Sequence, residues 1–220
     1  RQTGLATIIV DKTSGRYVCY SIMGANGHIS PGQVEQSLAE PGYDMVLMQL
    51  EMPLETAYRT YEAAKARGIP VFLDAGPAME IPLERFWGIF VISPNEAETR
   101  ALVGIDPVDG ESAAAAAKKL YETARPQYVI LKLGERGALL YDGKTPEMIP
   151  CRKVHDVVDT TAAGDVFGGA FAVRRCRGCG ITESIRYAHA AAAICVSRKG
   201  AQPSMPDAEE VEAFYGGGGS

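Results

Sequence analysis

The chain has 220 residues, 46% of them hydrophobic and 22% charged, enough for one domain with a substantial core and a small appendage. Its 22 Lys and Arg against 27 Asp and Glu give a net charge of -5, so no basic footprint for nucleic acid is expected. There is no apolar run of the roughly 18 residues that a membrane helix requires, and the opening RQTGLATIIVDK lacks the order of a signal peptide, which predicts a cytoplasmic protein without a membrane partner.

The predicted elements begin with LATIIVD and RYVCYSIMG, β-rich runs around KTSG, which read as a hairpin. The hairpin stands apart from the alternation that follows, so residues 1–26 are expected to form a lid-like segment, 27–215 a core, and 216–220, GGGGS, a linker or fusion scar. A helix is expected at QVEQSLAE, and the apolar run YDMVLMQLE, residues 43–51, reads as a strand buried on both faces. Then come helix PLETAYRTYEAAKARG, strands IPVFLDAG and IFVISPN, helices EAETRALVG and ESAAAAAKKLYETA, and strands QYVILKLG and GALLYDG. Helices AGDVFGGAFAVRRC, ITESIRYAHAAAAICVSRK and PDAEEVEAFY close the chain. Strands alternating with helices predict an α/β fold, a three-layer α/β/α sandwich with a mostly parallel sheet, plus the small β lid. Ligands of such sheets sit beyond the carboxyl ends of the strands, where this sequence places Glu51, Asp74, Asn95, Gly134 and the loop at Asp159. The five cysteines are odd in number and irregularly spaced, which suits free thiols in a reducing compartment. Cys176 and Cys179 form a C-x-x-C, but no second ligand pair makes it a zinc site, and they read as thiols at a helix end.

One stretch, DTTAAGDVFGGAF at 159–171, brackets tiny residues with two carboxylates. A helix starting there leaves its first N–H groups unpaired and carries partial positive charge, and Ala162, Ala163 and Gly164 let an anion approach the backbone. Asp165 in that first turn fits either a cap or a general base that takes a proton from a hydroxyl attacking phosphorus. Gly168 and Gly169, one turn on, suggest close helix packing.

The same stretch fits the pattern D-T-x-[GA]-A-G-D-x-F-x-G and resembles the C-terminal signature of the ribokinase family of sugar kinases, also called the PfkB family. Ala162 stands where the pattern more often has glycine. MVLMQLEMPLE, the GPA after Asp74, ISPNEAE, LKLGERG and SIRYAHAAAAICVSRKGAQPSMP resemble the family in the same order, so the similarity runs across residues 1–215. It implies an ATP-dependent kinase that phosphorylates the 5-hydroxyl of D-ribose to D-ribose 5-phosphate. Asp165 would be the base, and the N–H groups of Ala162, Ala163 and Gly164 the anion hole.

By the same resemblance, Asn95 would lie near the nucleotide phosphates and Glu98 would help hold Mg²⁺ through water. Lys132, Gly134, Glu135, Arg136 and Gly137 would edge the ATP site, and His189 would approach the adenine. Taken without the family, Glu98 reads as a solvated first-turn acid and His189 as a packed core histidine. A K⁺ site would draw on the Asp159 side chain, the carbonyls of Thr161, Cys195, Arg198 and Gly200, and the Ser204 hydroxyl. Glu51, read as a buried strand-end acid, would bind the sugar, and Asn26 would reach toward the pocket from the lid, through which family members pair as homodimers.

The sequence departs from the family pattern at Asp74, where asparagine is usual, and in lacking the N-terminal third that grips the sugar hydroxyls. Two other readings therefore stay open. One is a catalytically incompetent nucleotide-binding fragment or engineered piece of such a kinase. The other is a kinase for another substrate, such as deoxyribose, a nucleoside or a fructose phosphate.

Overall fold

A computed structural model describes residues 2–10, 17–152, 154 and 156–217. The KTSG turn expected within the hairpin and the last three residues of the GGGGS tail lie outside the described residues. On either side of that turn, β1 (Leu5–Val10) and β2 (Tyr17–Ile22) pair antiparallel from Leu5 opposite Ile22 to Val10 opposite Tyr17. They form a two-stranded sheet separate from the main one.

The main sheet has six strands in sequential order: β3 (Val46–Met48), β4 (Val71–Asp74), β5 (Val91–Ser93), β6 (Tyr128–Lys132), β7 (Ala138–Tyr141) and β8 (Glu147–Ile149). The first four are parallel, β7 pairs antiparallel with β6, and β8 pairs antiparallel with β7. The fold is thus an α/β sandwich with a mostly parallel sheet. The helices are α1 (Pro31–Ala39), α2 (Leu54–Ala66), α3 (Glu96–Val103), α4 (Gly110–Ala124), α5 (Ala163–Cys176), α6 (Ile181–Val196) and α7 (Ala208–Gly216). The last of these runs one residue into the tail expected to be linker.

Period-2 alternation along the strands sends side chains to two cores. Leu73, Ile92, Val129, Leu131 and Leu139 pack with Ala57 and Tyr61 of α2 and with Ala113, Ala117 and Leu120 of α4. Their neighbours Phe72, Val91, Ile130, Ala138 and Leu140 pack with Phe167 and Phe171 of α5 and Ile185 and Ala188 of α6. Burying each such large side chain contributes about 1.5–3 kcal/mol, so both helical layers are held firmly to the sheet. The alanine run of α4 is what lets that helix lie close, since its buried positions are nearly all small.

Three expectations need correction. The run 43–51 does not form a strand buried on both faces: only Val46–Met48 pair, and Leu47 is 45% exposed. The reason is that β3 is the edge of the sheet, with β4 on one side and no strand on the other among the described residues. The short β8 was not expected at all, because EMI lies among turn-forming residues and is too brief to show a period. Gly168 and Gly169 answer no packing need. A Cβ at Gly168 would make ordinary contacts with Phe72 and Leu47, and one at Gly169 would meet nothing within 4 Å.

Candidate active site

Because β3 to β6 are parallel, their carboxyl ends share one edge of the sheet, where Asp74 and Lys132 are the last residues of β4 and β6 and Gln49 and Asn95 follow β3 and β5. The N-terminus of α5 abuts this edge: a Cβ on Gly164 would stand 3.4 Å from Lys132 Nζ and 3.5 Å from Asp74 Oδ2. The loop-to-helix stretch expected to carry the chemistry therefore meets the strand ends.

Ala162 precedes α5 with φ 63° and ψ 5°, the left-handed region that costs a residue with a Cβ about 1–2 kcal/mol. That conformation explains why glycine is common at this place in the motif. The strain turns the chain sharply and leaves amides facing outward. The Ala163 N–H reaches the Thr160 carbonyl at 3.3 Å, while the N–H groups of Ala162, Gly164 and Asp165 have no protein acceptor among the described residues. Open amides at the positive end of a helix attract anions.

Asp165 sits in the first turn of α5 with its side chain exposed, and Gln49 Nε2 donates to its Oδ1 at 2.8 Å. One carboxylate oxygen is thus held, and the other has no partner among the described residues. Gln49 escaped the sequence reading, which treated it as part of an apolar strand. The signal is a polar residue breaking that run, which falls immediately past the end of β3, where ligands of such sheets collect.

Asn95 and Glu98 form a reciprocal cap at the start of α3. Glu98 Oε2 accepts from the Asn95 amide at 2.7 Å, Glu98 Oε1 accepts from Asn95 Nδ2 at 2.7 Å, and Asn95 Oδ1 accepts from the Glu98 amide at 2.9 Å. Glu98 is buried, not the solvated acid that helix position alone suggests. Burial raises its pKa above the ordinary carboxylate value, opposed by the nearby Lys132 ammonium. Its Oε1 lies 3.1 Å from where a Cβ of Gly76 would be, which ties the cap to the segment after β4. Two of the carboxylate's roughly four lone-pair sites remain for further partners. Such a carboxylate suits Mg²⁺, a hard ion that keeps most of its waters and takes one or two carboxylates plus substrate phosphates. Among the described residues no group of three or more His, Cys, Asp and Glu side chains converges into a protein-only metal cage.

The other predicted residues fall in different places. Gly134, Glu135 and Arg136 form a 3-10 turn after β6, closed by Gly137. Arg136 is turned away from the α5 N-terminus, donating to Glu96 Oε1 at 2.9 Å and the Pro107 carbonyl at 2.6 Å. Glu51 is exposed rather than buried: β3 ends at Met48, and beyond it Leu50 is the buried residue, its amide donating to the Gly76 carbonyl at 2.7 Å. Asn26 lies half-buried in a short 3-10 turn between β2 and α1.

The residues of the predicted K⁺ site come together around the loop from α6. Asp159 accepts from the Thr161 amide at 2.9 Å and the Gly200 amide at 3.0 Å. Hydrogen bonding from the Thr161 side chain first, and then from the Gly200 and Thr161 amides, lowers its pKa to about 2. Cys195 Sγ lies 3.6 Å from the Thr161 carbonyl and 3.1 Å from Ser204 Oγ, and the Cys195 carbonyl accepts from the Arg198 amide at 3.0 Å.

His189 is buried in α6 against Phe167, with ring centroids 5.4 Å apart. One ring nitrogen donates to the Pro150 carbonyl, and Nδ1 has no partner among the described residues. Burial lowers its pKa from 6.5 to about 4. Between those values the unfolded chain binds the proton and the folded chain does not, so stability is lost as pH falls from about 6.5 to 4. The full loss is about 3 kcal/mol. In urea titrations at pH 7 and pH 4.5, His189→Gln is expected to lose clearly less stability between the two than the parent. An equal loss in both would remove His189 as the cause.

The sequence profile of the pfkB family carbohydrate kinases matches residues 1–208. Ribokinase of Haemophilus influenzae is 37% identical over 213 residues, 96% of this chain and 69% of that protein. Ribokinase of Arabidopsis thaliana is 40% identical over 169 residues, 76% of this chain and 44% of that protein. The solved structure of Arabidopsis thaliana ribokinase complexed with ribose and ATP superposes with a TM-score of 0.84 at 34% identity, covering 96% of this chain and 69% of that one. The chain therefore spans about two thirds of the first relative and under half of the second.

Proposed function

The chain belongs to the pfkB family of carbohydrate kinases, and from that premise we propose that it transfers the γ-phosphoryl group of ATP to the 5-hydroxyl of D-ribose. The observation that carries this reading is the second carboxylate oxygen of Asp165, without a partner among the described residues, beside open amides at the start of α5. A carboxylate there takes the hydroxyl proton as the sugar oxygen attacks, and the amides of Ala162 and Gly164 stabilise the negative charge on the phosphoryl oxygens in transit. The similarity to a ribokinase solved with ribose and ATP supports the choice of substrates.

In this reading Asn95 and the turn from Gly134 to Gly137 border the nucleotide, and His189 lies behind the adenine. Glu98 holds Mg²⁺ through water, and the ion offsets phosphate charge when bound. Asp159, with the carbonyls of Thr161, Cys195, Arg198 and Gly200 and the Ser204 hydroxyl, holds K⁺ and thereby stiffens the strained loop at Ala162. Glu51 and Asn26 reach the sugar. The sheet of β1 and β2 serves as lid and as the contact of a homodimer in the cytoplasm. Its exposed Leu5, Ile9, Tyr20 and Ile22 fall on one face by the strand register, an apolar patch of the kind that marks interaction sites.

A coupled ADP-release assay with ribose, run with Na⁺ or K⁺, tests the proposal. Ribose-dependent ADP release, faster in K⁺, is the expected result. Binding of ATP without turnover on ribose, deoxyribose, nucleosides or fructose phosphates would instead identify a nucleotide-binding fragment. Turnover confined to one of the other sugars would reassign the substrate.

A further inference from the structure

Beside the open amides of α5 stands a buried ion pair that neither the base nor the anion hole requires. Lys132 Nζ donates to Asp74 Oδ1 at 2.5 Å, and the two side chains are only 15% and 11% exposed. Both lie against the first turn of α5 at Gly164, where a Cβ would stand at ordinary contact distance from each, 3.4 Å from Lys132 Nζ and 3.5 Å from Asp74 Oδ2. The ammonium has three N–H donors, and Asp74 is its one acceptor among the described residues. Arg136, the neighbouring cation in the same strand-to-turn segment, is already committed to Glu96 and the Pro107 carbonyl.

A buried pair of this kind contributes little net stability, since desolvation of both ions offsets most of their attraction. What it does provide is position: a long, flexible ammonium is kept at the edge of an anion site instead of sampling solvent. The geometry points to Lys132 as a further catalytic residue whose spare N–H donors contact the phosphoryl group in transit, with Asp74 as the positioning residue that aims it. This assignment rests on the kinase reading above. In the step, the bond from the γ-phosphorus to the β,γ-bridging oxygen breaks and one from the sugar oxygen to that phosphorus forms. The hydroxyl proton passes to Asp165, and the bond's electron pair leaves with ADP. Lys132 exchanges no proton. Its charge adds to that of the helix terminus where the phosphoryl oxygens are most negative.

The test compares β,γ-methylene-ATP with ADP by calorimetry in Mg²⁺, alongside ribose-dependent turnover. Lys132→Met is expected to weaken the ATP analogue about tenfold more than ADP and to lower kcat roughly 10²-fold or more. Since Lys132→Met leaves Asp74 buried without its counter-charge, Asp74→Asn with Lys132→Met is the variant that keeps the fold, and it should show the same loss of discrimination. Asp74→Asn alone should hold the analogue within about threefold while kcat falls about tenfold, a split that a merely structural role would not produce.

Unchanged discrimination and unchanged kcat in the double variant, with an active parent, would overturn the assignment and leave the kinase reading intact. Discrimination that depends on Lys132 in a parent inactive on ribose would remove the kinase reading and keep Lys132 as a γ-phosphate contact. A parent that binds neither nucleotide would overturn both.

Discussion

Asp165→Asn is expected to lower ribose-dependent kcat by roughly 10²- to 10⁴-fold while leaving nucleotide affinity nearly unchanged, since a positioned general base supplies a factor of that order. Asparagine keeps the size of the side chain, and its carbonyl oxygen can still accept from Gln49, which now reaches Asp165 Oδ1 at 2.8 Å. What it loses is the capacity to hold a proton. Gln49→Met makes the opposite cut, retaining the carboxylate but freeing it to rotate, and a smaller loss of about tenfold is expected because orientation alone is affected. Stopped assays at saturating ATP and ribose, with nucleotide affinity measured separately, check both. If Asp165→Asn turned over within a few-fold of the parent, the base would have to be sought elsewhere.

Gly137→Ala is expected to destabilise the fold by on the order of 4 kcal/mol, near the upper end of what single substitutions do. Two costs add. The residue has φ 94°, a region that residues with a Cβ avoid. The added methyl would also stand 2.2 Å from the Ile149 carbonyl oxygen and 2.8 Å from the Cys151 amide nitrogen, and both are backbone atoms that cannot swing aside. The turn closed by Gly137 is where β6 hands over to β7, with the Leu133 amide donating to the Gly137 carbonyl at 2.8 Å. Displacing it would therefore shift the strand end that carries Lys132 as well. Thermal unfolding should move down by about 8–16 °C for a chain of this size. Gly169→Ala, with open space around the new methyl, serves as the matched control and should be neutral or mildly stabilising. A Gly137→Ala protein that melts with the parent would mean the backbone there yields more easily than its contacts suggest.

Much of the molecule is legible from local pattern. The alternation of VFLD, VIS and YVILK with alanine-rich or amphipathic helices dictates the layered sheet, and the Ser30, Asn95, Asp109 and Asp207 caps sit where short polar residues precede helical runs. The convergence of Asp74, Asn95 and Lys132 follows from strand direction alone. Pairwise contacts are less legible. That Gln49 would reach Asp165 across 116 positions, or that Arg136 would turn to Pro107, depends on which side of a turn each side chain leaves, and a sequence does not encode that in any short window. Glu51 and β3 failed for another reason: apolar content says that a residue prefers to be covered, not whether a neighbour is there to cover it.

The outer margin of β3 carries a row of amide and carbonyl groups with no strand beside them among the described residues. Any strand added there would lengthen the sheet within a residue of Gln49, and so would tug on the group that steadies Asp165. Growth of the sheet sideways and the aim of the proton acceptor are thus mechanically joined, and an occupant of that margin would act on chemistry it never touches.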